Sequence, residues 1–260
     1  MARSLLLGWW ETHGRHDLAW RATRDRWAVL VSEVMLQQTP VGRVEKVWPA
    51  FLRLFPTPAA AAEAGPGALI EAWGSLGYPR RARRLWESAV LIESDGWPRD
   101  LEDLPGVGRY TAGALRAQVD DVDVPAIEVN IRRVCERVEG RRLTTTEAEH
   151  ASTRLGRPLH GRDRLLALMD LGALVCTATG PACGECPLRR RCATRGPLDG
   201  ETRSRQPSYE GSFRQRRGDV LRALREEDEP VPVGGLDRDA LDSLVHDGLA
   251  AVDRRGARLP

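Results

Sequence analysis

Leu104-Pro105-Gly106-Val107-Gly108-Arg109-Tyr110-Thr111-Ala112-Gly113 (LPGVGRYTAG) is the stretch on which the reading of this chain turns. A short helical stretch, Asp100–Leu104, ends at Pro105, and a well-patterned helix begins near Arg109. Between them the Gly106-x-Gly108 turn exposes backbone N–H groups with no side chain in the way. Those donors, together with the positive end of the following helix, suit a phosphate. A lone Gly-x-Gly is more often just a turn. Set between two helices it becomes a helix–hairpin–helix, which grips one nucleic-acid strand by its backbone without reading sequence.

Working outward, the chain reads as almost wholly helical. Apolar residues recur at three- and four-residue spacing over Trp27–Gln38 and Val44–Phe55. Pro56 and Pro58 interrupt the pattern, and it resumes over Ala59–Trp73, Arg81–Glu93, Tyr110–Val119, Glu128–Val138, Thr146–Leu155 and Arg162–Cys176. Residues 193–208 are poor in large apolar side chains and rich in Arg, Gly and Pro, a linker composition. Beyond it, Phe213–Arg225 and Arg238–Leu249 read as amphipathic helices, and Leu249–Leu259 as a short hairpin around Arg254-Arg255-Gly256. That order suggests a small winged-helix-like tail.

The 260 residues carry a net charge of only +2, so no global basic field announces a polyanion. Basic residues instead gather in knots, one at Arg80, Arg81, Arg83 and Arg84 and another at Arg189, Arg190 and Arg191. An isolated arginine run usually marks a solvated helix face. Lys46 is the sole lysine. No stretch approaches the roughly 20 apolar residues of a membrane span. The LLLGWW run near the start is too short for a signal sequence. A cytoplasmic protein is expected.

Cys176, Cys183, Cys186 and Cys192 follow the spacing C-x6-C-x2-C-x5-C. Four thiolates so close together call for a common partner: an iron–sulfur cluster, a zinc ion or two disulfides. Zinc sites usually come as two tight pairs, and only Cys183 and Cys186 form one here. The spacing leans to iron–sulfur and leaves zinc open. Disulfides are disfavoured because nothing points to an oxidising compartment. The fifth cysteine, Cys135, lies among Ile131, Val134 and Val138 and reads as core. The five histidines show no ligand spacing.

LPGVGRYTAG, the cysteine pattern and Ser32-Glu33-Val34-Met35-Leu36-Gln37-Gln38-Thr39 together resemble the helix–hairpin–helix DNA glycosylases of the endonuclease III and MutY group. The SEVMLQQT run resembles the adenine glycosylase branch, MutY. So do Ala19-Trp20-Arg21, Leu76-Gly77-Tyr78 followed by Arg81-Ala82-Arg83, and Met169-Asp170-Leu171-Gly172-Ala173. The resemblance covers about residues 15–195. It implies an all-α fold of two modules: a six-helix barrel at 22–131, and a cluster module built from 1–21 and 132–195. A linker at 196–210 and the tail at 211–260 would follow. It also implies a [4Fe–4S] cluster on the four cysteines, and double-stranded DNA bearing a mispair or lesion, held in the cleft by a monomer. The implied DNA contacts are Arg21, Gln37, Gln38, Tyr78, Pro105, Gly106, Val107, Gly108, Arg189 and Arg190.

Cleaving a purine N-glycosidic bond needs a proton for the departing base and a carboxylate beside an oxocarbenium-like sugar. Glu33, flanked by Val31, Val34, Met35 and Leu36, is a fitting acid, and the resemblance puts it at the family's catalytic glutamate. Gln37 and Gln38 would enter the base stack, with Tyr78 wedged beside them. At the second carboxylate the chain departs from the family. Where the family reads Asp-Gly-Asn or Asp-Thr-Asn, this sequence has Glu128-Val129-Asn130, with Asn130 and Arg133 in place. An extra methylene shifts the carboxylate by roughly 1 Å, a displacement that can cost about a hundredfold in rate. Bifunctional relatives use a lysine in the hairpin helix; here Tyr110 stands there, which implies a monofunctional enzyme with water as nucleophile.

MutY proteins usually add a Nudix-like domain that reads 8-oxoguanine, and residues 201–260 are too few for it. Three readings therefore compete. The first is removal of adenine opposite guanine or 8-oxoguanine. The second is removal of another base, such as thymine or uracil opposite guanine, or hypoxanthine. The third is a non-catalytic DNA-binding or redox-responsive protein on the same scaffold.

Overall fold

The computed structural model describes residues 5–201 and 207–260, and among these run eleven α-helices, several short 3-10 turns, one π turn and one two-stranded hairpin. The helices are α1 (Leu5–His13), α2 (Arg26–Leu36), α3 (Val41–Leu54), α4 (Pro58–Trp73), α5 (Arg80–Asp95), α6 (Arg109–Asp120), α7 (Val129–Glu139), α8 (Thr145–Gly156), α9 (Gly161–Asp170), α10 (Phe213–Glu226) and α11 (Arg238–His246). The expected all-α architecture is what the chain forms. Part of the expected linker, residues 202–206, lies outside the described residues.

Local chemistry sets many of the boundaries. Thr57 accepts from the Ala60 amide ahead of Pro58, which fits the first helical turn. Thr144 and Glu147 close a reciprocal capping box on α8. Ser212 and Asp237 cap α10 and α11. Non-helical Gly65, followed by Pro66, kinks α4. After α9 a single π turn, Leu171–Val175, leads into Cys176.

The chain divides into two compact units. One joins the described residues up to Glu33 with Gly108 to Glu201; the other joins Val34–Val107 with the tail from residue 207 onward. The sequence reading drew its boundaries at 21/22 and 131/132 instead. The difference has a packing cause. Helix α6 lies on α9, and Ala114, Ala117 and Ala126 share one apolar core with Leu6, Trp10, Ile131, Val134, Leu166 and Leu168. Residues 22–33 and 108–131 thus belong with the cysteine-bearing helices.

In the second unit α4 packs along α5 over a fully buried Trp73, with the Phe51 ring edge-on to Trp73 at 6.0 Å and to Phe55 at 4.9 Å. The tail forms helix, helix, hairpin: α10, α11, then β1 (Ala251–Asp253) antiparallel to β2 (Gly256–Arg258), with Val231 bridging to Ala257. No helix among the described residues is long and apolar enough to cross a membrane.

Candidate active site and cysteine cavity

Glu33 sits on α2 with only 4 % of its surface exposed. Its neighbours along the helix, Val29 to Val31 and Val34 to Met35, are buried, so the carboxyl has no route to bulk water along its own helix. Its Oε1 accepts a hydrogen bond from Gln118 Nε2 on α6 at 2.7 Å, and the Tyr110 hydroxyl lies close enough to act on the same carboxyl. Burial pushes the Glu33 carboxyl above its ordinary value, against the pull of Gln118, Tyr110 and the Arg21 charge. Tyr110, at the start of α6, is raised well above its ordinary value by burial and by the carboxylates of Glu33 and Glu128, so it remains a neutral phenol.

Glu128 is the N-cap of α7. Its Oε1 accepts from the Ile131 amide at 2.9 Å, and its Oε2 accepts from the Asn130 amide at 2.8 Å and from Asn130 Nδ2 at 2.9 Å. The longer side chain has curled back onto the amides that a shorter capping aspartate would take. Burial raises its carboxyl too, opposed by those amide bonds and by the Arg133 charge. Asn130 in turn accepts at Oδ1 from Arg133 Nη2 at 2.6 Å, and Arg133 donates to the carbonyls of Gly172 and Cys176, each at 2.6 Å. The helices approach so closely here that a Cβ on Gly172 would stand 2.7 Å from that of Asn130. Val129, between the two site residues, is 70 % exposed.

Glu33, Tyr110, Glu128 and Asn130 all belong to the first unit, and Glu33 and Glu128 lie near enough to raise the Tyr110 phenol together. Gln118, which completes the acid, was absent from the sequence expectation. The signal was available: Gln118 is a polar residue on the face of α6 that otherwise buries Ala114, Leu115 and Ala117. Arg21 lies in the same unit. Expected to meet DNA, it is 8 % exposed and clamps Asp170 through Nη1 at 2.7 Å and Nη2 at 2.9 Å. Arg15 and Trp10 also donate to Asp170, which holds a fully buried carboxylate below its ordinary value despite desolvation. The arginine acts as the counter-charge of a buried acid.

In the second unit Gln38 is exposed, Gln37 is half-buried with Nε2 3.3 Å from the Gly106 carbonyl, and Tyr78 is 37 % exposed. Gly106 adopts φ +82°, and a Cβ there would stand 3.1 Å from that of Arg84, two separate reasons for glycine in the turn. Val107 is buried and Pro105 half-buried, while Gly108, the N-cap of α6, is exposed. Arg189, Arg190 and Arg191 form an exposed single helical turn in the first unit.

All five cysteines are free thiols. Cys176, Cys183, Cys186 and Cys192 line one cavity with Val175, Leu171 and Leu188. Arg137, 1 % exposed, donates to Cys176 Sγ at 3.5 Å, and the Arg195 amide donates to Cys192 Sγ at 3.4 Å. A single zinc would draw four sulfurs to about 2.3 Å from its centre. Four soft donors ringing a cavity, with N–H groups and a guanidinium beside them, fit a multi-iron cluster.

The helix–hairpin–helix and the paired carboxylates define a base-excision repair scaffold. The model of the HhH-GPD superfamily of base excision DNA repair proteins matches residues 31–158. An adenine DNA glycosylase of Mycolicibacterium smegmatis is 44 % identical over 94 % of this chain and 90 % of its own length. One of Mycobacterium tuberculosis is 43 % identical over 97 % and 91 %. The structure of a thermostable thymine-DNA glycosylase superposes with a TM-score of 0.68 at 29 % identity, over 74 % of this chain and 94 % of that one. The chain belongs to the adenine DNA glycosylase family of the HhH-GPD superfamily.

Proposed function

We propose that this protein removes adenine from a mispaired duplex by hydrolysing the N-glycosidic bond, the opposite base being guanine or 8-oxoguanine. The observation that carries the reading is the buried Glu33 carboxyl, held above its ordinary value with Gln118 fixing one oxygen. A protonated carboxyl is what a departing purine needs, since cleavage leaves electrons on the ring. Glu128 accepts from three N–H donors beside an arginine, which oppose the burial that raises its carboxyl as well, and it is assigned the carboxylate beside the oxocarbenium-like sugar. In this scheme Glu33 is the acid and Glu128, with more N–H donors on its oxygens, is the anion. Asn130 orients Glu128.

Water is the nucleophile in this scheme. The sole lysine, Lys46, is exposed on α3, and the hairpin-helix position carries Tyr110, which stays a neutral hydroxyl. No amine is available there for a Schiff base. Gln37, Gln38 and Tyr78 would enter the stack as the base leaves it, while Pro105 to Gly108 with Arg189 and Arg190 would hold phosphates. The partner is double-stranded DNA, met by a monomer. Cys176, Cys183, Cys186 and Cys192 would hold a [4Fe–4S] cluster, with Arg189–Arg191 on the segment between Cys186 and Cys192.

A second reading, release of thymine or uracil opposite guanine, is favoured by Glu128 in place of aspartate and by the likeness to a thymine-DNA glycosylase structure. Single-turnover base release followed by alkaline strand cleavage separates the two. The panel is adenine opposite 8-oxoguanine, guanine and cytosine, and thymine, uracil and hypoxanthine opposite guanine. Adenine release supports the first reading, pyrimidine release alone supports the second, and tight binding without any release points to a non-catalytic role.

A further inference from the structure

The arginine knot at the start of α5 reads from sequence as a solvated face, yet Arg81 is only 8 % exposed. Its Nη1 donates to three carbonyls at the end of α2 and beyond: Val34 at 2.9 Å, Met35 at 2.8 Å and Gln37 at 2.5 Å. Its Nη2 donates to Thr39 Oγ1 at 2.9 Å and to the carbonyls of Leu76 at 3.4 Å and Gly77 at 2.9 Å. The guanidinium carbon lies 5.3 Å from the ring centroids of both Trp73 and Tyr78. One planar cation therefore ties two segments distant in sequence, 34–39 and 76–78.

Those segments carry Gln37, Gln38 and Tyr78. We infer that Arg81 is the positioning residue for the residues that enter the base stack, locking the Gln37–Gln38 turn and the Gly77–Tyr78 turn into a single rigid wedge. The inference rests on the reading of Gln37, Gln38 and Tyr78 given above.

Three physical points support it. The last carbonyls of a helix have no partner within the helix and form its negative end, so a buried cation there is favourable. Gln38 and Tyr78 hold φ of 56° and 50°, a left-handed backbone that non-glycine residues keep only where the surroundings enforce it. Arg81 Nε is buried without a hydrogen-bond partner, so the guanidinium is oriented to serve the two turns and leaves its own third edge unsatisfied. Lysine, with one nitrogen, cannot reach both turns.

The test compares two substrates in the full-length protein. One is adenine paired opposite 8-oxoguanine, where the base must be prised from the stack; the other is the same adenine in a single-base bulge, where little prising is needed. Arg81→Lys should slow single-turnover release from the paired duplex by about a hundredfold, the cost of misplacing the wedge by about 1 Å, and from the bulge far less. Thr39→Val, which deletes one acceptor and leaves the arginine in place, should show the same bias at smaller size, and stands in if Arg81→Lys does not fold.

Equal slowing on both substrates, or none on either, overturns the proposal. Tyr78→Ala is the control for the underlying reading. If it shows the paired-duplex bias and the Arg81 and Thr39 variants do not, Arg81 alone is wrong. If Tyr78→Ala shows no bias, the wedge reading falls and the inference falls with it.

Discussion

Gln118 Nε2 donates to Glu33 Oε1 across 2.7 Å inside a pocket that otherwise raises the carboxyl above its ordinary 4.5. The bond fixes the orientation of the acid without abolishing its elevated affinity for a proton. The folded state therefore binds this proton more tightly than the unfolded chain does. Stability associated with it is complete in acid and is lost as pH rises through the elevated folded value. Each unit of elevation is worth about 1.4 kcal/mol. Glu33→Gln should abolish base release, leave DNA binding intact, and melt above the wild type near neutral pH. The gap should close on acidification in paired thermal melts. Wild-type release should decline as pH rises through the same range.

Glu128 is expected to tolerate shortening better than removal. Aspartate is a preferred N-cap and would reach the same amides, so Glu128→Asp should hold stability and change release by less than about tenfold. Glu128→Ala should lose roughly 1 kcal/mol of stability along with nearly all turnover. Denaturant melts and single-turnover rates on the same preparations check both statements.

Anaerobically purified protein should contain about four irons and four sulfides per chain, and Cys186→Ser should lower both. Elemental analysis returning stoichiometric zinc instead would remove the cluster from this scaffold.

Replacing Arg189 and Arg190 together by alanine should weaken binding to matched and mismatched duplexes alike. The slope of log affinity against log salt should fall by about 0.9 for each phosphate that the variant leaves unneutralised. An unchanged slope would remove that turn from the DNA-binding surface.

Asp247 pins the tail to α5. Its side chain is only 3 % exposed and receives Arg80 and Arg217, and its backbone carbonyl accepts from Arg83 at 2.6 Å. Burial works to raise its carboxyl, but the two arginines outweigh it and hold it below the ordinary value. A lowered carboxyl contributes stability above its unfolded value and loses it as pH falls through the folded one. Asp247→Asn should cost about 1–2 kcal/mol near neutral pH, the lower end reflecting the solvent exposure of Arg80, and progressively less in acid.

How far the sequence reaches depends on which physics each residue obeys. The helices were legible because their apolar spacing, prolines and caps are local; even the tail's helix, helix, hairpin order follows from pattern alone. The cysteine cavity was legible from spacing alone. The arginine knot read as solvated because charge in a sequence looks so, and only tertiary structure reveals the Asp170 that Arg21 meets or the six acceptors that Arg81 meets. The compact units divide elsewhere than the sequence suggests for a similar reason: the alanines of α6 carry little local signal about which core they join.

The interleaving of the two units bears on synthesis. Glu33 leaves the ribosome 95 residues ahead of Glu128, which at about 5–20 residues per second is a wait of roughly 5–20 s. During that interval Val34–Val107, an uninterrupted segment, can collapse on its own, while Glu33 and the residues before it wait for the rest of their unit, which begins at Gly108. The nascent chain thus carries its most hydrophobic active-site helix half-finished, the stage at which a holdase would be of most use and at which truncated translation products would be most prone to aggregate.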